Sequence, residues 1–285
     1  MENKTSKAVF YIIMSGLAFA LMTVMVKLSD PVHISIKLVS RNLVALLVVG
    51  LSMIGKRISY FGQWRNQPYL IGRSVFGAAG MTLVFYAVSH MNLADAYMLH
   101  SLSPFTVAVL AALFLGERMT RFQLFGLVII FFASLLIIKP KFDLSVIPAL
   151  AAAGSALTSG VAYTALRFLG TKEHPATIVF YFSFFSTLVF LPIAIYVWQQ
   201  PTAEQYIYLV ATGIFAAIGQ ISMTLAYKYA KATDIVSFTY LNIVFAGIFG
   251  FLFWGEVPDI YSIIGGIIII FVPTITTIYR FKKQQ

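Results

Sequence analysis

Cysteine is missing altogether from the 285 residues. Disulfides, thiolate nucleophiles and thiolate metal sites are therefore excluded, and the redox compartment leaves no mark on the sequence. Charge is scarce: Asp, Glu, Lys and Arg make up 11% of the chain, against about 25% in a soluble domain. A water-soluble protein of this size needs charge to cover its surface, so the composition leaves the soluble class. Acids are scarcest, 10 against 20 Lys and Arg, and no Asp or Glu falls in the middle of an apolar run. The sequence holds no Walker P-loop, no His-Glu-x-x-His and no Gly-x-Ser-x-Gly. ATPase and common hydrolase signatures are thus absent, and no motif asks for a cofactor or a metal.

What is abundant is apolar sequence, 60% of the chain. A helix that spans a hydrocarbon core needs about 20 mostly apolar residues. Runs free of Asp, Glu, Lys and Arg cover Ala8–Val26, Ser74–Ala94, Ala96–Gly116, Phe122–Ile138, Leu144–Leu166, His174–Ala203, Gln205–Tyr227, Ile235–Gly255 and Ile260–Tyr279. The shorter run Asn42–Gly55 reaches spanning length when extended back through Arg41 to Ile34. The fold class expected is all-α integral membrane, with about ten transmembrane helices, short loops and no room for a soluble domain. Lys4 and Lys7 lead the first run without a small-x-small cleavage site, which reads as a retained first helix.

Net charge is +10, and its placement argues against nucleic acid. With a cytoplasmic N-terminus and alternating spans, the inner side holds Lys4, Lys7, Lys56, Arg57, Arg65, Arg73, Arg118, Arg121, Arg167, Lys172, Lys228, Lys231, Arg280, Lys282 and Lys283. The outer side holds Lys27, Lys37, Lys139 and Lys141, and Arg41 falls inside the second span. That asymmetry follows the positive-inside rule. It predicts both termini in the cytoplasm and a multi-pass protein of the cell membrane.

The two halves match each other. At an offset of 139 residues Gly80 falls on Gly219, Ala87 on Ala226, Asp95 on Asp234 and Leu102 on Leu241. Phe114 falls on Phe253, Gly116 on Gly255, Glu117 on Glu256 and Gly126 on Gly265. The boundaries expected are residues 1–140 for the first five-helix repeat and 141–285 for the second. Five is odd, so the second copy enters the membrane inverted. Two inverted halves that meet at a midplane site are a common way to build a carrier. Small residues at four-residue spacing (Ala151, Ser155 and Ser159; Ala152, Ala156 and Gly160; Gly213 and Ala217; Ala246 and Gly250) let helix backbones approach in lipid.

The segment from Arg73 to Pro140 carries a more specific pattern. Arg73 opens span three, and Phe85, Tyr86 and Ala87 stand near its end. An alanine-rich entry around Asp95 leads to Leu102 and Pro104 inside span four. Leu115, Gly116, Glu117 and Arg118 close it, and Gly126 lies in span five. Together these resemble the EamA family of the drug/metabolite transporter superfamily, over essentially the whole chain, with a fainter copy around Gly255 and Glu256. The resemblance implies ten helices in two inverted five-helix repeats. It also implies a central cavity lined mainly by spans one, three, four, six, eight and nine. It does not imply a substrate. One departure stands out: Ile243 takes the place of Pro104 in the second half, so the two halves are not expected to bend identically there.

Polar groups inside spans are costly and are the candidates for function. Arg41, with Lys37 one turn before it, reads either as an anion-binding pair facing the cavity or as a side chain that snorkels outward or braces carbonyls. His100 reads as a proton-coupling group or as a packed histidine. Ser103, Gln220 and Asn242 can bind substrate or join helices, and Tyr86, Tyr163 and Tyr240 offer an apolar face with a polar tip. Glu117 and Glu256 stand in turns before new helices, and Asp95 and Asp234 open spans. All four read as helix-end caps.

The expected function is transport of a small organic metabolite by alternating access, as exporter or exchanger. An amino acid or organic anion ranks first, because a buried arginine without a mid-span carboxylate needs an anion. A passive facilitator or channel remains the alternative, and an intramembrane enzyme lacks the converging groups it needs. The partners expected are a small-molecule substrate and the lipid bilayer, not nucleic acid; a homodimer is left open.

Overall fold

In lipid a backbone must satisfy its own N–H and C=O groups, which leaves helices and closed barrels. In the computed structural model, which describes residues 2–114, 121–138, 146–170, 172–229 and 238–284, helix is the regular structure throughout the described residues. The order is α1 (Glu2–Leu28), α2 (Ile34–Met53), α3 (Gln67–His90, after a 3-10 turn at Trp64–Asn66), α4 (Leu93–His100), α5 (Ser103–Phe114) and α6 (Arg121–Ile138), followed by α7 (Ile147–Leu169), α8 (Pro175–Tyr196), α9 (Ala203–Tyr229), α10 (Leu241–Trp254) and α11 (Ile260–Gln284). Among the described residues, α1, α2, α3, α7, α8 and α9 are long and apolar enough to cross a membrane, and α6, α10 and α11 hold shorter apolar runs. Trp64, Tyr196 and Trp198 are exposed at helix ends, where aromatic side chains anchor a membrane–water interface.

The helices depart from the apolar runs in three places. α3 begins at Gln67, so Arg73 lies in its second turn and is 3% exposed, not at the surface where the charge pattern put it. A run defined by missing charge must start after an arginine, whatever the backbone does. The run His174–Ala203 is interrupted: α8 ends at Tyr196 and α9 begins at Ala203. Span four is two helices. Pro104 has no N–H to return to the His100 carbonyl, and the Leu102 N–H bonds Leu99 O at 3.1 Å instead. The second half turns at the matching place, Tyr240. There Ile243 donates its N–H to Tyr240 O at 3.0 Å, so the two interruptions use different bonds.

Packing crosses between the halves. α1 lies along α9, and α3 along α7; α2 packs on α8, and α6 on α11. Two glycines set the first pair of crossings. A Cβ on Gly80 would sit 2.6 Å from Ser159 Oγ, and one on Gly219 would sit 2.7 Å from the Phe19 ring. Ser15 Oγ donates to Gly219 O at 2.9 Å across the same gap. Lipid tails are as apolar as leucine, so contact at this range, not hydrophobic burial, holds such helices together.

Opposite ends of the bundle are tied differently. At one end the Lys27 ammonium pairs with Glu256, donates to Met91 O at 3.2 Å and lies 4.9 Å from the centre of the Trp254 ring. Gly255 ends α10 in the left-handed region (φ 63°), a conformation that suits glycine. The turn lets Glu256 reach the first helix half. Its other carboxylate oxygen accepts the Leu93 N–H of α4 at 2.8 Å. Glu256 therefore caps α4 and not the helix that follows it in the chain. Asp259 serves that helix, accepting from Tyr261 N and Ser262 N at 2.9 and 3.0 Å. Asp95 occupies the first turn of α4, where a carboxylate complements the helix dipole. Glu117 and Asp234 lie outside the described residues. At the other end Glu173 accepts from Gln63 N at 2.8 Å and Asn66 Nδ2 at 2.6 Å.

Two predictions follow from these contacts. Gly80→Val and Gly219→Val should each destabilise the protein by about 1–3 kcal/mol through overpacking, read by thermal unfolding in detergent. Comparable losses are expected, because each glycine meets the first helix of the other half. Glu256→Ala should lower unfolding free energy by roughly 0.5–2 kcal/mol as the α4 cap is lost, and an unchanged melting temperature would contradict the capping role.

Candidate substrate cavity and its charged wall

A partly open cavity lies among the crossing helices, with about 460 Å³ of unfilled space when its mouth is included. Phe19 and Met22 come from α1, Gly80, Met81 and Val84 from α3, and Tyr97 and His100 from α4; α7 supplies Ser159 and Tyr163, α9 Gln220 and Met223, and α10 Asn242. In span numbering these are spans one, three, four, six, eight and nine. Three methionines give the wall flexible, polarisable side chains that adapt to shape. Helix ends reach this wall from within the bundle: His100 closes α4, and Asn242 stands at the start of α10.

Four of the eight candidate side chains meet here: His100, Tyr163, Gln220 and Asn242. Ser155 Oγ donates to Ala152 O at 2.6 Å and lies 2.8 Å from His100 Nδ1. With its proton directed at the carbonyl, the serine oxygen accepts from an Nδ1–H. That tautomer leaves Nε2 as the lone-pair nitrogen. Asn242 Oδ1 is buried without a hydrogen-bond partner among the described residues, and it occupies the space that a Cβ on Gly16 would fill, at 2.1 Å. Tyr97 holds α4 against α1, donating to Phe19 O at 3.0 Å.

The other candidates lie elsewhere. Tyr86 stacks on His90 with ring centres 4.3 Å apart. Tyr240 is buried, with its hydroxyl lacking a hydrogen-bond partner among the described residues. Ser103 is buried at the start of α5, its carbonyl facing Gly160 of α7. Arg41 is 0% exposed, so it does not snorkel, and it does not pair with Lys37. Lys37 binds Asp30 and donates to Val26 O at 3.0 Å. One turn of helix separates the two residues, but the Asp30 carboxylate draws the ammonium toward the loop.

Arg41 has a different companion. Its Cζ lies 5.1 Å from the centre of the Phe182 ring, and Arg73 Cζ lies 4.3 Å from the same ring. Arg41 Nη1 donates to Asn42 Oδ1, and Arg73 Nη2 donates to Gln220 Oε1 at 3.0 Å. Gln220 thus joins the charged wall to the cavity. Sequence reasoning missed Arg73 because it counted as a surface charge. The available signal was Gly77, one turn further along α3. A Cβ there would sit 2.2 Å from Arg73 Nη1, so the glycine leaves room for the guanidinium to lie inward.

Comparisons with known proteins agree with this architecture. The model of the EamA-like transporter family matches twice, over residues 6–139 and 146–277. The chain is 34% identical over 265 residues to the pseudopaline exporter CntI of Pseudomonas aeruginosa, covering 90% of this chain and 91% of that protein. It is 26% identical to solute carrier family 35 member G1 of Mus musculus, over 96% of this chain and 79% of that protein. A riboflavin transporter of Brucella anthropi is 30% identical over 72% of each chain. A solved crystal structure shares the fold, with a TM-score of 0.72 over 98% of this chain and 99% of that one, at 16% identity. The three sequence relatives are named as an exporter, a solute carrier and a transporter, not as enzymes. With both halves of the chain matched, this multi-pass membrane protein, a transporter of a small metabolite, belongs to the EamA-like transporter family.

Proposed function

We propose that the chain is an alternating-access carrier for a small organic metabolite, an amino acid or an organic anion, working as an exporter or exchanger in the cell membrane. The observation that carries this reading is the cavity itself, whose polar wall takes His100 from the first half and Tyr163, Gln220 and Asn242 from the second. A site shared between two halves changes its exposure when one half rocks against the other. His100, Tyr163, Gln220 and Asn242 contact the substrate, and Arg41 serves its charge from behind Gln220. Tyr86, Ser103 and Tyr240 support the surrounding helices.

The architecture proposed is ten spans in two inverted five-helix repeats, residues 1–140 and 141–285, with both termini cytoplasmic. The exchange of partners supports it: α1 on α9 mirrors α7 on α3, and α2 on α8 and α6 on α11 each pair equivalent helices. Gly80 and Gly219, which match at the repeat offset, make equivalent close contacts. The cytoplasmic side is the end that carries Lys56, Arg57, Lys172 and Lys228, by the positive-inside rule.

Counterflow in proteoliposomes tests the carrier. Protein reconstituted with a panel of radiolabelled amino acids and organic acids should show uptake that accelerates when vesicles are preloaded with the same compound. Uptake without trans-stimulation would favour a passive pore. For a transported compound, Gln220→Leu should weaken apparent affinity by roughly tenfold, the worth of one hydrogen bond of about 1.4 kcal/mol in a buried site. Reporter fusions after Gln285 should be active only on the cytoplasmic side, and activity outside would overturn the topology.

A further inference from the structure

Two arginines lie within the span region, with no acid between them among the described residues. Arg41 is 0% exposed and Arg73 3%. Among the described residues their guanidiniums meet two amides, Asn42 Oδ1 and Gln220 Oε1, and the ring of Phe182, and the Tyr163 phenol interacts with both. Arg41 Nε and Nη2, and Arg73 Nε, are buried without a hydrogen-bond partner among the described residues. The carboxylates whose bonds are described serve helix ends and loops: Asp30 holds Lys37, Glu256 holds Lys27, Glu173 holds Gln63 N and Asn66, and Glu204 accepts from Tyr208.

Two like charges taken out of water repel each other and lose their hydration, and amide partners do not neutralise them. Helix bracing does not account for the arrangement, because a brace would use the donors that here stand empty. Nor does snorkelling. Arg73 lies six residues from the start of α3, close enough for an extended side chain to approach water. Its Nη1 turns instead over Gly77, one turn deeper. The chain therefore directs this charge inward, beside Gln220 and the cavity.

We infer that Arg41 and Arg73 form a two-guanidinium seat for the anionic part of the transported molecule, a carboxylate pair or a phosphate. The inference rests on the carrier reading and names its substrate class. Two planar forks present parallel N–H donors that match the oxygens of either group. The Phe182 ring holds both forks through its π face, and Gln220 links the seat to the rest of the cavity. Two positive charges select a substrate with two negative charges over a neutral or cationic one.

The test is thermal unfolding of the full chain in detergent with sodium citrate, sodium succinate, inorganic phosphate or choline chloride, each against sodium chloride at equal ionic strength. At least one of citrate, succinate and phosphate should raise the melting temperature, by about 3 °C at ten times its Kd, and choline should not. A shift with citrate or succinate alone assigns a polycarboxylate, and a shift with phosphate alone assigns a phosphate group. Arg41→Gln and Arg73→Gln should melt no lower than the parent in sodium chloride, since each removes a repelling cation, and should lose the anion shift. A structural brace would do the reverse, lowering the melting temperature while keeping the shift. Gly77→Ala adds a methyl where Arg73 Nη1 lies and should lose the shift with both arginines present, which decides the matter if the Gln variants do not fold. Absence of any anion shift in the parent, or its retention in Gly77→Ala, would overturn the seat. Trans-stimulated transport of a neutral compound with no anion shift would discard the seat and keep the carrier; an anion shift without trans-stimulation would do the opposite.

Discussion

Helices in a bilayer gain little by turning apolar faces toward each other, because lipid already solvates those faces. What holds this bundle is the range at which backbones meet, and the glycines at 80 and 219 set it. The first brings α3 onto Ser159 of α7, and the second brings α9 onto Phe19 and Ser15 of α1. With those crossings fixed, the remaining elements have little freedom. The interrupted helices at Ser101 and Tyr240 fall beside the crossings, and the space left between them is the cavity.

The same constraint explains where polar groups are found. Hydroxyls of Thr23, Ser74, Thr82, Thr158, Thr164, Thr187, Thr212 and Thr224 bond carbonyls of their own helices three or four residues back. Those groups are satisfied locally and carry no information about substrate. Buried side-chain atoms without a hydrogen-bond partner among the described residues include Asn242 Oδ1 in the cavity wall and the Arg41 and Arg73 nitrogens behind it, together with the hydroxyls of Ser183, Ser186, Tyr240 and Ser262, which do not line the cavity.

Much of the fold was legible in the sequence, and the reasons are physical. Burial in lipid demands long apolar runs, so the approximate positions of α1, α2, α6, α7, α9 and α11 could be read directly. Pro104 marked a bend in span four, because a missing N–H has a fixed consequence, but the full division into α4 and α5 was not read. The loop between α8 and α9 was hidden, since Val197 to Thr202 carry no charge. The site was half legible. Composition can name the polar residues of a span, but the face each one presents depends on interhelical register. His100 and Gln220 turn to the cavity, whereas Tyr86 packs on its own helix against His90. Arg73 was hidden by the rule that found the spans, and Glu256 found its partner in the other half, a contact that no local pattern encodes.

The tie between Lys27, Glu256 and the Leu93 amide joins α1, the α3–α4 turn and the α10–α11 turn at one end of the bundle only. Its side chains are 14% exposed, enough for dissolved ions to reach them but not to screen them as in open water. Separation of these three segments would pull unit charges apart, so the strength of this tie follows the ionic strength of the solution at that end and is indifferent to the solution at the other.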